Sequence, residues 1–112
     1  MIEAVFVRGA AGNIVEFSLS GHAGFAERGR DVVCAAVSAL AQAALIGLEE
    51  VLRIDVEAEV DDDQGRLRCR IPEEAAASRL QGAAVLTETL LRSLRSIEAG
   101  YPGHVQVREI NR

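Results

Sequence analysis

The sequence has very few aromatic residues. Tryptophan is absent, and phenylalanine and tyrosine together make up 4% of the 112 residues. Hydrophobic residues nevertheless account for 49% of the chain, which is enough to build the core of one domain of this length. That core must be aliphatic and rich in alanine, a composition that favours close packing of helices on a sheet. We therefore expect a single domain spanning residues 1–112.

Basic residues are also scarce relative to acidic ones. Lysine and arginine total 12 against 17 aspartates and glutamates, which gives a formal net charge of −5. Proteins bind a nucleic-acid backbone through clusters of basic side chains that release counterions. We therefore expect no direct nucleic-acid partner, and the acidic balance is better suited to a basic protein partner.

The chain has two cysteines, Cys34 and Cys69, and neither belongs to a CxxC pair or a dense disulfide framework. This pattern fits a reducing compartment. The first ten residues, MIEAVFVRGA, contain no basic segment followed by an apolar run and a small-residue cleavage site. We therefore expect no secretory signal and a cytoplasmic location.

One apolar run, Val32 to Leu48, is free of charge and resembles a membrane span, although it is slightly short. Ser38, Gln42 and Glu49 are spaced by four and seven residues, and they mark one face of a helix. The run is therefore interpreted as a buried amphipathic helix, and we expect no membrane partner.

The periodicity of apolar residues predicts seven elements. Ile2 to Arg8 and Ile14 to Ser20 alternate at period two and predict a hairpin, followed by an irregular loop over Gly21 to Arg30. Asp31 is placed to cap the helix that follows, which is predicted to run from about Val32 to Leu52. Val56 to Val60 and Arg66 to Ile71 are predicted to be two further strands. Glu73 to Ala99 is predicted to be a helix whose start is rich in glutamate and whose apolar stripe includes Val85, and Val105 to Ile110 is predicted to be the last strand. The order ββαββαβ predicts an α+β fold with two helices packed on a mostly antiparallel sheet.

The stretch from Ser20 to Leu40 contains the residues that could carry chemistry. His22 follows a predicted strand, and Cys34 falls in the first turn of a predicted helix, with a glycine-bearing loop between them. Thiolate rather than thiol is the nucleophile, and both a helix N-terminus and a nearby imidazolium favour the thiolate. The free amides of that helix turn, those of Cys34 and Ala35, could hold the oxyanion of a tetrahedral intermediate.

Taken one at a time, these residues have plainer explanations. A cysteine with apolar neighbours is often simply buried, and an isolated histidine is often structural or solvated. Cys69 alternates with arginines on a predicted strand and so belongs to the core, while His104 is assigned to the surface or to packing. A zinc site is disfavoured because the cysteines and histidines lack paired ligand spacing. We expect no metal and no cofactor.

Other residues of this stretch could support the site. Asp31 could orient His22 as a third catalytic member, but its position as a helix cap explains it equally well. Ser38 lies one turn after Cys34 on the same helix face. Gly24, Phe25 and Gly29 belong to the loop that is expected to admit a substrate.

These residues resemble the signature of the bacterial ribosomal-processing cysteine protease family. The matching segments are Gly21-His22-Ala23, then Gly29, Asp31 and Val33 to Ser38, and Tyr101-Pro102 also fits. The resemblance implies a single cysteine peptidase domain that removes an N-terminal extension from the twenty-seventh protein of the large ribosomal subunit, supporting ribosome assembly. It places the catalytic histidine and cysteine on His22 and Cys34, and it implies a homodimer.

Two alternatives remain open from the residues. The chain could be a non-catalytic module that binds a basic ribosomal partner through its acidic surface, with Cys34 merely packed. It could also be a thiol-dependent redox sensor, although a resolving cysteine is lacking if Cys69 is buried.

Overall fold

The computed structural model describes residues 1–112 and begins with the predicted hairpin. Strands β1 (Ile2–Arg8) and β2 (Ile14–Ser20) pair antiparallel. The amide of Gly9 donates to the carbonyl of Asn13 at 2.8 Å and closes the turn between them. Alternate residues point to the same face of a strand, so Ile2, Ala4 and Phe6 all enter the core.

Helix α1 (Val32–Ile46) begins at the residue after Asp31, as predicted. It continues into a π-helical turn, Gly47–Val51, so the helical path ends one residue before the predicted Leu52. Gly47 in this turn packs against the second long helix, where a Cβ would lie 2.7 Å from a methyl carbon of Leu86. A side chain at position 47 would therefore require the Leu86 side chain to move.

Strands β3 (Glu57–Asp61) and β4 (Arg66–Arg70) form the second hairpin. Helix α2 (Ala77–Gly100) starts four residues later than predicted. The reason is local: the amide of Ala75 bonds to the carbonyl of Pro72 in a turn, and the Glu73 carboxylate accepts a hydrogen bond from Arg112 at 2.7 Å. Val85, placed in the apolar stripe of this helix, is instead exposed, because Ala83, Thr87, Leu90, Leu91 and Leu94 form the buried face.

Strand β5 (Val105–Asn111) completes a five-stranded sheet in the order β3-β4-β2-β1-β5. The β1–β5 pair is parallel and the other pairs are antiparallel. The α+β fold with two helices on a mostly antiparallel sheet is confirmed. The core lies between one face of the sheet and the helices, and it includes the stacked rings of Phe6 and Phe17.

The helical segment Val32–Val51 is long and apolar enough, by length and composition alone, to cross a membrane. Residues at helical spacing on one face are part of the domain core: Val33, Val37, Ala41, Ala44 and Leu48. Ser38, Gln42 and Glu49 are exposed, as predicted for the polar side. The remaining exposed face was not predicted to be apolar, yet it presents Val32, Ala36, Ala39, Ala43 and Ile46.

Candidate active site

A cavity of about 230 Å³ opens where β2 ends and α1 begins. Glu3 pairs with Ser20, which places the start of β1 beside the end of β2. Leu19 pairs with Leu67, which brings the turn before β4 to the same end of the sheet. The cavity is lined from three directions, by the loop after β2, by α1 and by the β3–β4 hairpin. The residues include His22, Arg28, Cys34, Val37, Ser38, Val60, Asp61, Asp62, Gly65, Arg66 and Leu67.

Cys34 reaches this cavity from the first turn of α1 and is partly exposed. Its sulfur accepts a hydrogen bond from the backbone amide of Ala23, with N and Sγ 3.1 Å apart. An amide directed at a sulfur stabilises a developing negative charge there. The loop after β2 therefore supplies both a wall of the cavity and a donor to the thiol.

Asp31 caps α1 with one carboxylate oxygen, which accepts from the amides of Val33 and Cys34 at 3.0 Å each. The other oxygen accepts from the loop amides of Phe25 at 3.0 Å and Ala26 at 3.3 Å. The hydrogen bond from the Cys34 amide is the largest cause holding the pKa of Asp31 below its ordinary value. Asp31 thus ties the loop to the helix start, and its bonds go to backbone amides rather than to His22.

His22 lines the same cavity as Cys34, on the exposed stretch that follows β2. No hydrogen bond joins the two side chains in this structure. Catalytic hydrogen bonds are often long before a substrate is bound. The β3–β4 turn lies against the imidazole, since a Cβ on Gly65 would be 2.9 Å from Cε1 and 3.2 Å from Nε2 of His22.

The two amides considered for the oxyanion are both already engaged. The Cys34 amide donates to the Asp31 carboxylate, and the Ala35 amide donates to the Asp31 backbone carbonyl at 3.0 Å. An amide that already donates to a helix cap or to the helix backbone is not free to bind an oxyanion. In this conformation the amides of Cys34 and Ala35 donate to Asp31, and the amide of Ala23 is the one directed at the sulfur.

The predicted supporting residues divide between the cavity and its surroundings. Ser38 lines the cavity one turn after Cys34, and its hydroxyl accepts from the Gln42 amide at 2.9 Å. The loop residues Gly24, Phe25 and Gly29 do not line it. The Phe25 ring instead packs edge-on against Tyr101 and His104, with centroid distances of 5.3 and 5.4 Å.

The comparisons with known proteins identify the family. The family model of the cysteine protease Prp matches residues 1–106 of the chain. The chain belongs to this family. The ribosomal processing cysteine protease Prp of Bacillus subtilis is 32% identical over 107 residues, which cover 96% of each chain. The Prp family relationship therefore extends over nearly the whole sequence, and it makes this chain a cysteine protease family member.

Solved structures share the Prp fold. An essential ribosomal processing protease Prp from S. aureus, in complex with a covalently linked product peptide, superposes with a TM-score of 0.87 at 24% identity over 97% of this chain and 99% of that one. A Streptococcus mutans protein superposes with a TM-score of 0.83 at 28% identity, covering 100% of this chain and 96% of that one. The predicted order of elements is thus that of the Prp fold.

Three features of this Prp family member were not anticipated from its sequence. The amide of Ala23 contacts the thiol, Gly65 lies against His22, and His104 bonds to the carbonyl of Ala23 at 2.8 Å. Each contact joins residues from different elements. Only the turn pattern around Gly65 carries a local signal, and that signal indicates a bend rather than contact with a histidine.

Proposed function

We propose that this Prp family member is an endopeptidase in which Cys34 is the nucleophile and His22 its acid and base. The observation that carries the proposal is the meeting of both side chains at one cavity, with a backbone amide directed at the sulfur. Cys69 does not compete for the role, because it is fully buried and burial raises the pKa of its thiol to about 12.

The reaction proceeds through an acyl-enzyme. The Cys34 thiolate attacks the scissile carbonyl carbon, and the tetrahedral intermediate collapses as the imidazolium of His22 protonates the leaving amine. Water then attacks the thioester while His22 takes its proton, which releases the carboxylate product and the free thiol. The sulfur loses its negative charge when it bonds to the carbonyl carbon, so the Ala23 amide that donated to it becomes available, and we assign this amide to the oxyanion.

We propose that the substrate binds as an extended strand. Strand β3 is at the edge of the sheet and is exposed along its length, and its residues Val60 and Asp61 line the cavity. An unpaired strand edge offers backbone donors and acceptors to a peptide. Ile2, Leu19 and Leu67 add apolar surface, which favours an apolar or aromatic side chain near the scissile bond.

The substrate that we propose is the twenty-seventh protein of the large ribosomal subunit, with its N-terminal extension removed during ribosome assembly. The curated relative is named a ribosomal processing protease, and the acidic net charge of −5 suits a basic ribosomal protein. We further propose a cytoplasmic location, in keeping with two free cysteines and a thiol that must stay reduced to react.

We also propose that the chain forms a homodimer through α1. The support is the exposed apolar face of this helix, on which Val32 is 57% and Ile46 51% exposed with three alanines between them. Small side chains let two helices approach closely, and a second copy would present the same face. The dimer would cover this face without closing the cavity, which Cys34 reaches from the other side of the helix turn.

Cleavage of the extended ribosomal protein tests the proposed reaction. We expect the wild-type chain to release one N-terminal peptide, detected by mass spectrometry, and Cys34→Ala and His22→Ala to lose at least about a thousandfold in rate. Cys69→Ala is the matched control, because it removes the other thiol, which does not line the cavity, and it should keep turnover. Cleavage by folded Cys34→Ala at the wild-type rate would exclude this thiol as the nucleophile.

A further inference from the structure

His104 occupies a fixed position at the end of the sheet that carries the cavity. Parallel pairing places Val105 beside Ile2, and β1 in turn adjoins the end of β2. The His104 backbone is held on both sides, since its amide donates to Tyr101 at 3.2 Å and its carbonyl accepts from Ile2 at 3.0 Å. The imidazole therefore projects from a rigid part of the fold toward the loop after β2.

The imidazole of His104 is oriented by two contacts. Its Nδ1 lies 2.8 Å from the carbonyl oxygen of Ala23. A carbonyl oxygen can only accept, so Nδ1 of His104 must carry a hydrogen and donate. The Phe25 ring and the imidazole of His104 make a T-shaped contact with an interplanar angle of 82°, which restricts the plane of the imidazole.

Ala23 connects His104 to the thiol. Its carbonyl accepts from His104, while its amide donates to Sγ of Cys34. Ala23 is 2% exposed, although its neighbours His22 and Gly24 are exposed. The backbone of this one residue is thus held between an imidazole on one side and the sulfur on the other.

The rest of the loop offers little to hold Ala23 in place. Gly21, Gly24 and Gly29 all have positive φ angles, and the residues from Gly24 to Arg30 are exposed. Asp31 fixes the amides of Phe25 and Ala26, which lie two and three residues further on. Glycine permits many backbone conformations, so Ala23 requires its own anchor to keep its amide directed at the sulfur.

We propose that His104 is a positioning residue for the nucleophile. It holds the Ala23 carbonyl, and thereby keeps the Ala23 amide on Cys34, where it stabilises the thiolate before attack. His104 does not itself touch the reacting atoms. The proposal rests on the proposed function, in which Cys34 is the nucleophile and the Ala23 amide serves it.

The variants His104→Asn and His104→Gln test this role, because they place the same carboxamide group near two different nitrogens of the original imidazole. The asparagine amide nitrogen falls near the place of Nδ1 and can donate to Ala23, whereas the glutamine amide reaches toward the place of Nε2. His104 is only partly buried, so we expect both variants to fold. Both are made in a Cys69→Ala background, so that Cys34 is the only thiol.

Two measurements are made on each variant. The first is the rate of Cys34 alkylation by iodoacetamide across pH, whose midpoint is the pH at which the rate is half of its maximum. The second is kcat and KM for the extended ribosomal protein. For His104→Gln we expect the alkylation midpoint to rise by about one pH unit, because a hydrogen bond to the thiolate is weakened. We expect kcat to fall about tenfold with a smaller change in KM, and His104→Asn to stay within about threefold of the parent.

Equal effects of the two variants would overturn the proposal, because they would assign His104 to packing alone. A wild-type midpoint and kcat in His104→Gln would overturn it as well. Tyr101→Leu removes the aromatic contact with Phe25 but leaves the hydrogen bond from His104, and we expect it to leave the midpoint unchanged. The alkylation profile needs no substrate. If the wild-type chain did not cleave the ribosomal protein, the proposed function would be refuted. The alkylation of His104→Gln and His104→Asn would still decide the role of His104.

Discussion

Gly65 lies against His22 so closely that it has no room for a side chain. A Cβ built on Gly65 would be 2.9 Å from Cε1 of His22 and 2.6 Å from the carbonyl oxygen of Gly21. Both values are below an ordinary van der Waals contact. The turn of the β3–β4 hairpin therefore forms a wall for the imidazole that we assign as acid and base.

We expect Gly65→Ala to lower turnover by at least about tenfold, because His22 must shift or the hairpin must retreat. Gly65 also has a φ of +60°, and an L residue in that region costs about 1–2 kcal/mol. Gly12→Ala is the matched control, since Gly12 has a φ of +89° and nothing lies within 4 Å of its Cβ position. Similar losses of activity in the two variants would show that backbone strain, and not contact with His22, causes the effect.

The two thiols should differ greatly in reactivity. Cys34 is partly exposed at the cavity, whereas Cys69 is fully buried, and its pKa is raised to about 12 by burial. We expect iodoacetamide to label Cys34 at least about a hundredfold faster than Cys69 in the folded protein. Peptide mapping by mass spectrometry measures both rates in one sample. Comparable labelling of the two cysteines would contradict an accessible nucleophile at Cys34.

Asp31→Asn separates the helix cap from the loop anchor. The asparagine carbonyl can still accept from Val33 and Cys34, but its amide would face the Phe25 and Ala26 donors. We expect a smaller fall in melting temperature than for Asp31→Ala, which loses the cap as well. Activity should fall less than in His22→Ala. A loss as large as that of His22→Ala would assign a direct role to the carboxylate charge.

Glu109 should make stability depend on pH in the acid range. Hydrogen bonds from Arg95 and Arg8, each 2.8 Å long, hold its pKa below the ordinary value of 4.5. A carboxyl group whose pKa is lowered by folding stabilises the protein above its unfolded pKa, and this contribution is lost as pH falls through the folded pKa. Glu109→Gln should therefore reduce the free energy of unfolding at pH 7, and this effect should be smaller at pH 3 because it is lost progressively as the pH falls below 4.5, measured by urea denaturation.

The matched control for Glu109 is Glu57→Gln, at a side chain that is 80% exposed and 3.9 Å from Arg70. Exposed ion pairs contribute little, so this variant should match the wild type at both pH values. A difference at pH 7 as large as that of Glu109→Gln would indicate a general effect of net charge.

Ala39→Glu should dissociate the proposed dimer. Ala39 is exposed at the middle of the apolar face of α1, and a charge there would be buried without a partner at the interface. We expect sedimentation to give a dimer for the wild type and a monomer for this variant. Ala77→Glu makes the same change on an exposed position of α2 and should remain dimeric. A monomeric wild type at micromolar concentration would refute the dimer.

The sequence predicted the order of elements because each element carries its own local pattern. Alternation gives β1 and β2, and Asp31 followed by an apolar run gives the start of α1. Cys34 is in the first turn of that helix for the same reason. The predicted start of α2 was wrong. Composition alone favours a helix there, but the turn at Pro72 and the ion pair of Glu73 with Arg112 compete with helix formation.

The sequence by itself thus determined the fold class and the two ends of the loop that carry His22 and Cys34. Only the tertiary structure decided what surrounds them: Ala23 on the sulfur, Gly65 against the imidazole and His104 on the Ala23 carbonyl. These contacts join residues up to 81 positions apart, and they arise because the parallel pairing of β5 with β1 and the antiparallel pairing of β4 with β2 converge at one end of the sheet. No local periodicity encodes which strands become neighbours, so this part of the site follows from the packing of the whole chain.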